Sequence, residues 1–272
     1  MKSKFLSVVA AVGISLGLAG AAHADLLADI KAKGKIVAAT EMHFAPFDIL
    51  KDGKYQGICH DLFVEIAKEL GVEAEFLDLP WQSILPGLEA GKFDIVNAPV
   101  TITAERMQRY SFTLPIGNAT VALAKKAGDT SIMKPEDIAG KTVGSQKGSA
   151  QLAQLKAYSE TLPSPIDVRE YVNIDEALAD LAAGRIQGVA NSMPLMGYAS
   201  VQRPGLFELV LPPFGEPKYF GWVARPGDET ASLVEAINAA LLKMHKDGRL
   251  KAINEKWLGS APDLPTTMPA VN

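Results

Sequence analysis

Apolar and polar positions along this chain switch repeatedly between two periods. Residues 35–40 (KIVAAT) read as a strand. Residues 60–71 (HDLFVEIAKELG) read as an amphipathic helix, with Leu62, Phe63, Ile66, Ala67 and Leu70 on one face and Gly71 as its stop. Residues 73–79 (EAEFLDL) alternate as a strand does. SILPGLEAG predicts a short helix ending at Gly91, and FDIVNA a buried strand after it. Strands and helices taking turns in this way predict an α/β protein with mostly parallel strands.

The pattern also repeats. LPGLEAGKFDIVNA (85–98) and LADLAAGRIQGVAN (178–191) share L-x-x-L-x-A-G-[KR], an apolar residue, and a Val at the same offset. A weaker echo joins GKIVAAT (34–40) to GKTVGSQ (140–146). A glycine-capped helix followed by a strand is a common unit, so one echo would say little. Two in the same order predict two similar α/β lobes. The extended run ATVALAKK (119–126) leaves the first lobe, and the proline- and glycine-rich PPFGEPKYFGWVARPG (212–227) returns to it. Two such crossings make a two-strand hinge with a cleft between the lobes. The expected limits are 25–125 for the first part of lobe 1, 126–213 for lobe 2, and 214–272 for the hinge return and the rest of lobe 1. The helix ASLVEAINAALLKMHKDG (231–248) packs back on lobe 1, and the Pro-rich tail APDLPTTMPAVN is loose.

The first 24 residues stand outside this scheme. Lys2 and Lys4 precede an apolar run from Phe5 to Gly20, and Ala22-His23-Ala24 forms an A-x-A cleavage site. The run is short for a membrane span of ~20 residues. It is read as a cleaved signal peptide, which places the remaining chain in the periplasm. That chain, about 250 residues long, can bury a sizeable core in one or two domains. The formal net charge of −4 comes without a basic patch, which argues against a nucleic-acid partner. Cys59 is the single cysteine, so no disulfide can close within the chain.

Candidate chemistry collects where strands end. VTITAERMQRY (100–110) follows a buried strand, and ligands of open α/β sheets bind beyond strand carboxyl ends. Thr101 and Thr103 can cap a helix starting at Ala104, which sets Arg106 at the cleft mouth. Its planar fork suits a carboxylate, although a surface pairing with a nearby Glu fits the same spacing. SQKGSAQL (145–152) is the matching place in lobe 2. Gly148 allows close approach, Ser149 can cap the next helix, and free N–H groups there suit an anion; an ordinary capped helix reads the same way. Phe44 and Trp81 follow two other strands and could stack on a ligand or simply pack in the core. Glu41, His43 and His60 lie near the same edge and could act as acid or base. There is no G-x-S-x-G, H-E-x-x-H, Walker loop or closed metal-ligand set, so no catalytic residue, metal or cofactor is expected.

The ordered set HFAPF, GICHDLFVEIAKELG, PWQSILPGLEAGKFDIV, VTITAERMQRYSFT, GKTVGSQKGSA, LAAGRIQGVANSMP and KMHKDGRLKAINEKWLG resembles the polar amino-acid branch, family 3, of the periplasmic solute-binding proteins of ABC importers. The resemblance implies a type II fold whose lobes close on a small zwitterionic or carboxylate solute, a monomer, and ABC permease transmembrane subunits as partners. It assigns the ligand carboxylate to Arg106 and to the backbone of Gly148, Ser149 and Ala150, with Ala150 where a Thr is common. Thr101 meets the α-amino group, and Pro99 and Asn191 fall within the matching site segments. Phe44 and Trp81 sandwich the ligand side chain, and Glu41 holds a position that is acidic in binders of basic amino acids. Two positions depart from the pattern. Gly57-Ile58-Cys59 stands where the family commonly reads G-F-D. Asn191-Ser192-Met193-Pro194 stands where it reads A-D-x-P, so Ser192 replaces the aspartate that pairs with the α-ammonium. Removing that partner costs roughly 3–5 kcal/mol. Either Glu41 serves instead, or the ligand is an N-substituted, cyclic or betaine-like derivative. A cyclohexadienyl dehydratase-type enzyme on the same fold, or a sensor for a membrane receptor, is the alternative function.

Overall fold

The computed structural model describes residues 25–271; the signal-peptide reading falls on residues 1–24, outside the described part. The Asp25 carboxylate accepts from the N–H of Leu27 at 3.0 Å and so opens α1 (Leu26–Lys33). β1 (Lys35–Thr40) follows, then a small hairpin sheet of β2 (His43–Phe44), β3 (Asp48–Lys51) and β4 (Lys54–Gln56). Next come α2 (Ile58–Leu70), β5 (Glu73–Asp78), α3 (Trp81–Glu89), β6 (Ile95–Thr101), α4 (Ala104–Met107), β7 (Ser111–Phe112) and β8 (Gly117–Asn118). The second part of the chain builds β9 (Val121–Lys126), β10 (Thr142–Gln146), α5 (Ala150–Ser159), β11 (Asp167–Tyr171), α6 (Ile174–Ala182), β12 (Gly188–Ser192), α7 (Met193–Gln202) and β13 (Phe207–Phe214). β14 (Tyr219–Ala224), α8 (Asp228–Asp247) and α9 (Arg249–Leu258) complete it.

Two sheets of matching design form two lobes. The first runs β5-β1-β6-β14-β7 and the second β11-β10-β12-β9-β13. In each, the first three strands are parallel and the fourth is antiparallel. The sheets are therefore less uniformly parallel than the sequence predicts. Both sequence echoes have a counterpart here: β1 and β10 hold the second place in their sheets, and β6 and β12 the third. The fourth strand of each sheet is made by chain that has just crossed from the other lobe.

Pairing decides where the crossings fall. β9 bonds along its length to β12 and β13, so the run 119–126, expected to leave the first lobe, instead opens the second sheet. β8 pairs with the start of β14 (Tyr219↔Asn118), and Phe214 pairs with Val121. The two crossings thus run side by side and antiparallel.

The core explains the helix faces. α2 buries Ile58, Leu62, Phe63, Ile66 and Ala67, each large apolar side chain contributing about 1.5–3 kcal/mol. Phe63 meets Trp222 of β14 edge-on, with ring centroids 5.3 Å apart. α8 packs on α1, α2 and α9, as the sequence predicts for a helix returning to lobe 1. The tail is not loose. Leu264 is buried in the core, and Met268 and Val271 pack against the cluster that holds Val96, Val100 and Phe112. Its prolines rule out a helix, yet its apolar residues anchor it.

Gly57 joins the hairpin to α2 at φ 130°, where a Cβ would lie 2.3 Å from the Phe47 carbonyl oxygen. Gly34 also has positive φ (72°), but open space surrounds it. Gly57→Ala should therefore cost about 3 kcal/mol or more in denaturant unfolding, and Gly34→Ala only about 1 kcal/mol. Equal losses would mean that the hairpin is not held against α2 as described.

Candidate ligand-binding site

The carboxyl ends of β1, β6 and β10 point into the space between the lobes, and side chains from both lobes line a small cavity there. Lobe 1 supplies Glu41, Phe44, Trp81, Ala98, Pro99, Thr101, Arg106 and Phe220; lobe 2 supplies Gln146, Ser149, Ala150 and Gln151. Eight residues expected from the sequence meet here: Glu41, Phe44, Trp81, Pro99, Thr101, Arg106, Ser149 and Ala150. Gly148 sits at the rim.

Arg106 owes its position to the turn after β6. Thr103 caps α4 by accepting from the Arg106 N–H at 3.2 Å, which leaves the Thr101 hydroxyl free of capping. The guanidinium donates to the Thr101 carbonyl at 3.2 Å and, across the cleft, to the Gly148 carbonyl at 3.4 Å. Burial lowers its pKa to about 10, so it stays cationic at neutral pH. The Trp81 indole N–H donates to the same carbonyl at 3.2 Å, and the Arg106 guanidinium lies 5.5 Å from the Trp81 ring. Trp81 thus holds the arginine and the opposite lobe as well as facing the cavity.

Ser149 caps α5, accepting from the Leu152 N–H at 3.0 Å and donating to the Gln146 carbonyl at 2.8 Å. Its N–H also turns back to Gln146, at 3.2 Å. Both polar groups of Ser149 are therefore engaged in the turn. The N–H groups that face forward belong to Ala150 and Gln151, in the first turn of the helix.

Glu41 directly follows β1 and Gln146 ends β10, at the matching strand ends of the two lobes. Gln146 Nε2 donates to both carboxylate oxygens of Glu41, at 2.7 and 3.0 Å. Both side chains are buried. Burial raises the Glu41 pKa to about 7, against the pull of the Gln146 bond, and the charges of Asp78 and Asp175 push it the same way. Gln151 reaches across as well: its amide donates to Thr101 Oγ1 at 3.1 Å and to the Ala119 carbonyl at 3.3 Å. Sequence reasoning missed Gln146, Gln151, Ala98 and Phe220. The first two sit within the quoted SQKGSAQL stretch, and Phe220 packs edge-on against Phe44 at 6.1 Å.

Asn191 and Ser192 do not reach this cavity. β12 lies between β10 and β9, Ser192 pairs with Val121, and both side chains are buried. Asn191 Oδ1 accepts from the Ser192 N–H at 2.7 Å. Among the described residues, neither Asn191 Nδ2 nor Ser192 Oγ has a partner. The histidines also stand aside: His43 is exposed and 3.5 Å from Asp175 of lobe 2, and His60 contacts Asp61.

Behind Glu41 lies a buried polar group. Asp48 accepts from the Tyr55 hydroxyl, and Asn97 donates to Tyr55 at 3.2 Å. Burial raises the Asp48 carboxyl to about 8, outweighing the hydrogen bond from Tyr55. Burial, with Asp48 beside it, also holds the Cys59 thiol well above its usual pKa, which makes it a packed residue and not a nucleophile.

A model of the bacterial extracellular solute-binding proteins, family 3, matches residues 36–260. The L-cystine-binding protein TcyJ of Escherichia coli is 31% identical over 265 residues, covering 93% of this chain and 94% of that protein. Among solved structures, an ancestral arginine-binding protein bound to arginine is 36% identical with a TM-score of 0.75, covering 83% of this chain and 99% of that one. The ancestral amino acid-binding protein AncCDT-1, a precursor of cyclohexadienyl dehydratase, is 30% identical with a TM-score of 0.76, covering 85% and 99%.

A neutral buried acid has a measurable signature. The unfolded chain releases the Asp48 proton near pH 3.8, the folded chain only near 8. Stability should therefore fall as pH rises between these values, by up to about 1.4 kcal/mol per pH unit from this group, and level off above. Asp48→Asn should flatten that part of the decline in urea unfolding at pH 5–8; an unchanged slope would place the proton elsewhere.

Proposed function

Because the chain belongs to the bacterial extracellular solute-binding proteins of family 3, we propose that it is the substrate-binding component of an ABC importer. It takes an amino acid or a carboxylate-bearing amino-acid derivative. The observation that carries this reading is a cavity whose walls come from both lobes and whose donors and acceptors already join across it. A two-strand hinge lets the lobes part for entry and close for capture. Closure excludes water and strengthens each polar contact.

The roles follow from the lining. Arg106 and the first N–H groups of α5 grip the carboxylate. Phe44, Phe220 and Trp81 enclose the body of the solute, and Glu41 faces a donor or cation at the far end. The closed form is monomeric, lies in the periplasm after export, and presents both lobes to the permease. Lobe limits near Asn118–Val121 and Phe214–Tyr219 suit such motion, since the chain crosses twice there. The L-cystine-binding and arginine-bound relatives support an amino-acid-like ligand.

One observation favours a second reading. A buried carboxyl with a pKa near 7, such as Glu41, is suited to general acid catalysis, and one solved relative is a precursor of a dehydratase. Turnover of prephenate or arogenate by the purified protein would favour that reading; its absence leaves capture alone.

Calorimetry against amino acids, ectoines, opines and betaines should find a ligand, and Arg106→Ala should weaken it by roughly 100-fold or more. Retained affinity would mean that the carboxylate grip lies elsewhere, and no binding across the panel would sink the amino-acid reading.

A further inference from the structure

The charges lining the cavity are few and can be counted. Arg106 is the one cation and Glu41 the one carboxylate among the lining residues. They do not pair with each other: Arg106 bonds to the Thr101 and Gly148 carbonyls, and Glu41 to the Gln146 amide. Gly148 and Gln146 are two residues apart along the strand end, so the charges are held at separate places on the wall. A ligand that satisfies both charges must therefore replace two separate sets of neutral partners.

Nothing else in the lining offers an α-ammonium a countercharge. The Thr101 hydroxyl already accepts from Gln151, at 3.1 Å. Ala98 and Pro99 bring no polar side chain. The end of β12 brings no charged group: Asn191 Oδ1 is tied to the Ser192 N–H, and Asn191 Nδ2, a donor, is left without a partner. What remains is neutral: the amide oxygens of Gln146 and Gln151 and backbone carbonyls. A desolvated ammonium against neutral acceptors alone keeps an uncompensated charge.

We infer that the preferred ligand is a carboxylate with one cationic group at its far end and no α-ammonium, an ω-guanidino or ω-amino acid. Such a molecule matches the lining one charge for one: its carboxylate meets Arg106, and its remote cation displaces the Gln146 amide from Glu41. An α-amino acid with a basic side chain brings two cations to one carboxylate. A neutral α-amino acid carries its cation on the carbon next to its carboxylate, whereas Arg106 and Glu41 do not pair and are held by different partners. The inference rests on the binding-protein reading above and narrows it.

Matched pairs test it on the unaltered protein. L-arginine is compared with des-amino-arginine, a guanidinopentanoate, and L-lysine with des-amino-lysine, an aminohexanoate. Titrations run by calorimetry at pH 8, where Glu41 is ionised. The expected result is at least tenfold tighter binding of the des-amino member in one pair or both. Glu41→Gln should then weaken that ligand at least tenfold, with thermal unfolding as the check that the variant is folded. Equal or tighter binding of the α-amino parent overturns the inference, as does failure of all four compounds to bind. If L-cystine, L-glutamine or L-arginine binds instead and Arg106→Ala abolishes it, the binding-protein reading stands while this inference falls. If no carboxylate binds, both fall.

Discussion

Each sheet in this protein is completed by backbone that has just arrived from the other lobe. β9 bonds to β12 on one side and β13 on the other, and β14 bonds to β6 and β7. Lobe 2 builds its sheet from the unbroken run β9 to β13, whereas lobe 1 needs β14, which follows that run in the chain. Lobe 1 therefore completes its sheet only where the chain has come back through the second crossing. The same constraint fixes the site. With the antiparallel strands in fourth place, the parallel strands of both sheets aim their carboxyl ends into one cleft. Equivalent ends, Glu41 after β1 and Gln146 at the close of β10, come face to face.

The cleft is polar where water leaves and apolar where it never was. Phe44, Phe47 and Phe220 pack edge to edge beneath it, with centroids 5.2–6.3 Å apart. Above that floor, Arg106 and Glu41 are half-buried or buried with only neutral partners. Burial without a countercharge costs free energy, and here both pKa values move toward the neutral form. A solute carrying the complementary charges removes that cost on arrival. The same amides that stand in for it, from Gln146 and Gln151, are the contacts that join the lobes.

Much of this was legible in the chain. The two echoes identified paired lobes because a helix, its glycine stop and a strand leave a local pattern, and local pattern is what a sequence displays. Arg106 and Ser149 were legible for the same reason: each sits one turn past a buried strand, beside a capping residue. The lobe limits were not, because the sheet that β9 joins depends on partners far along the chain. Gln146, Gln151 and Phe220 carried no signal, since their importance exists only once the lobes meet. Asn191 and Ser192 were read as site residues from the family's A-D-x-P pattern; in the structure both are buried at the end of β12, and neither lines the cavity. The tail was read from its prolines, when the spacing of Leu264, Met268 and Val271 decided its place.

Asp48 and Glu41 also change what the whole molecule looks like from outside. The formal net charge of −4 counts both as anions. Near pH 6 each keeps its proton, Glu41 with a pKa of about 7 and Asp48 of about 8. The folded protein is then a weaker acid than its own composition. At that pH it gives them up on unfolding, so the field of the folded protein toward any neighbouring surface is milder than the residue count implies.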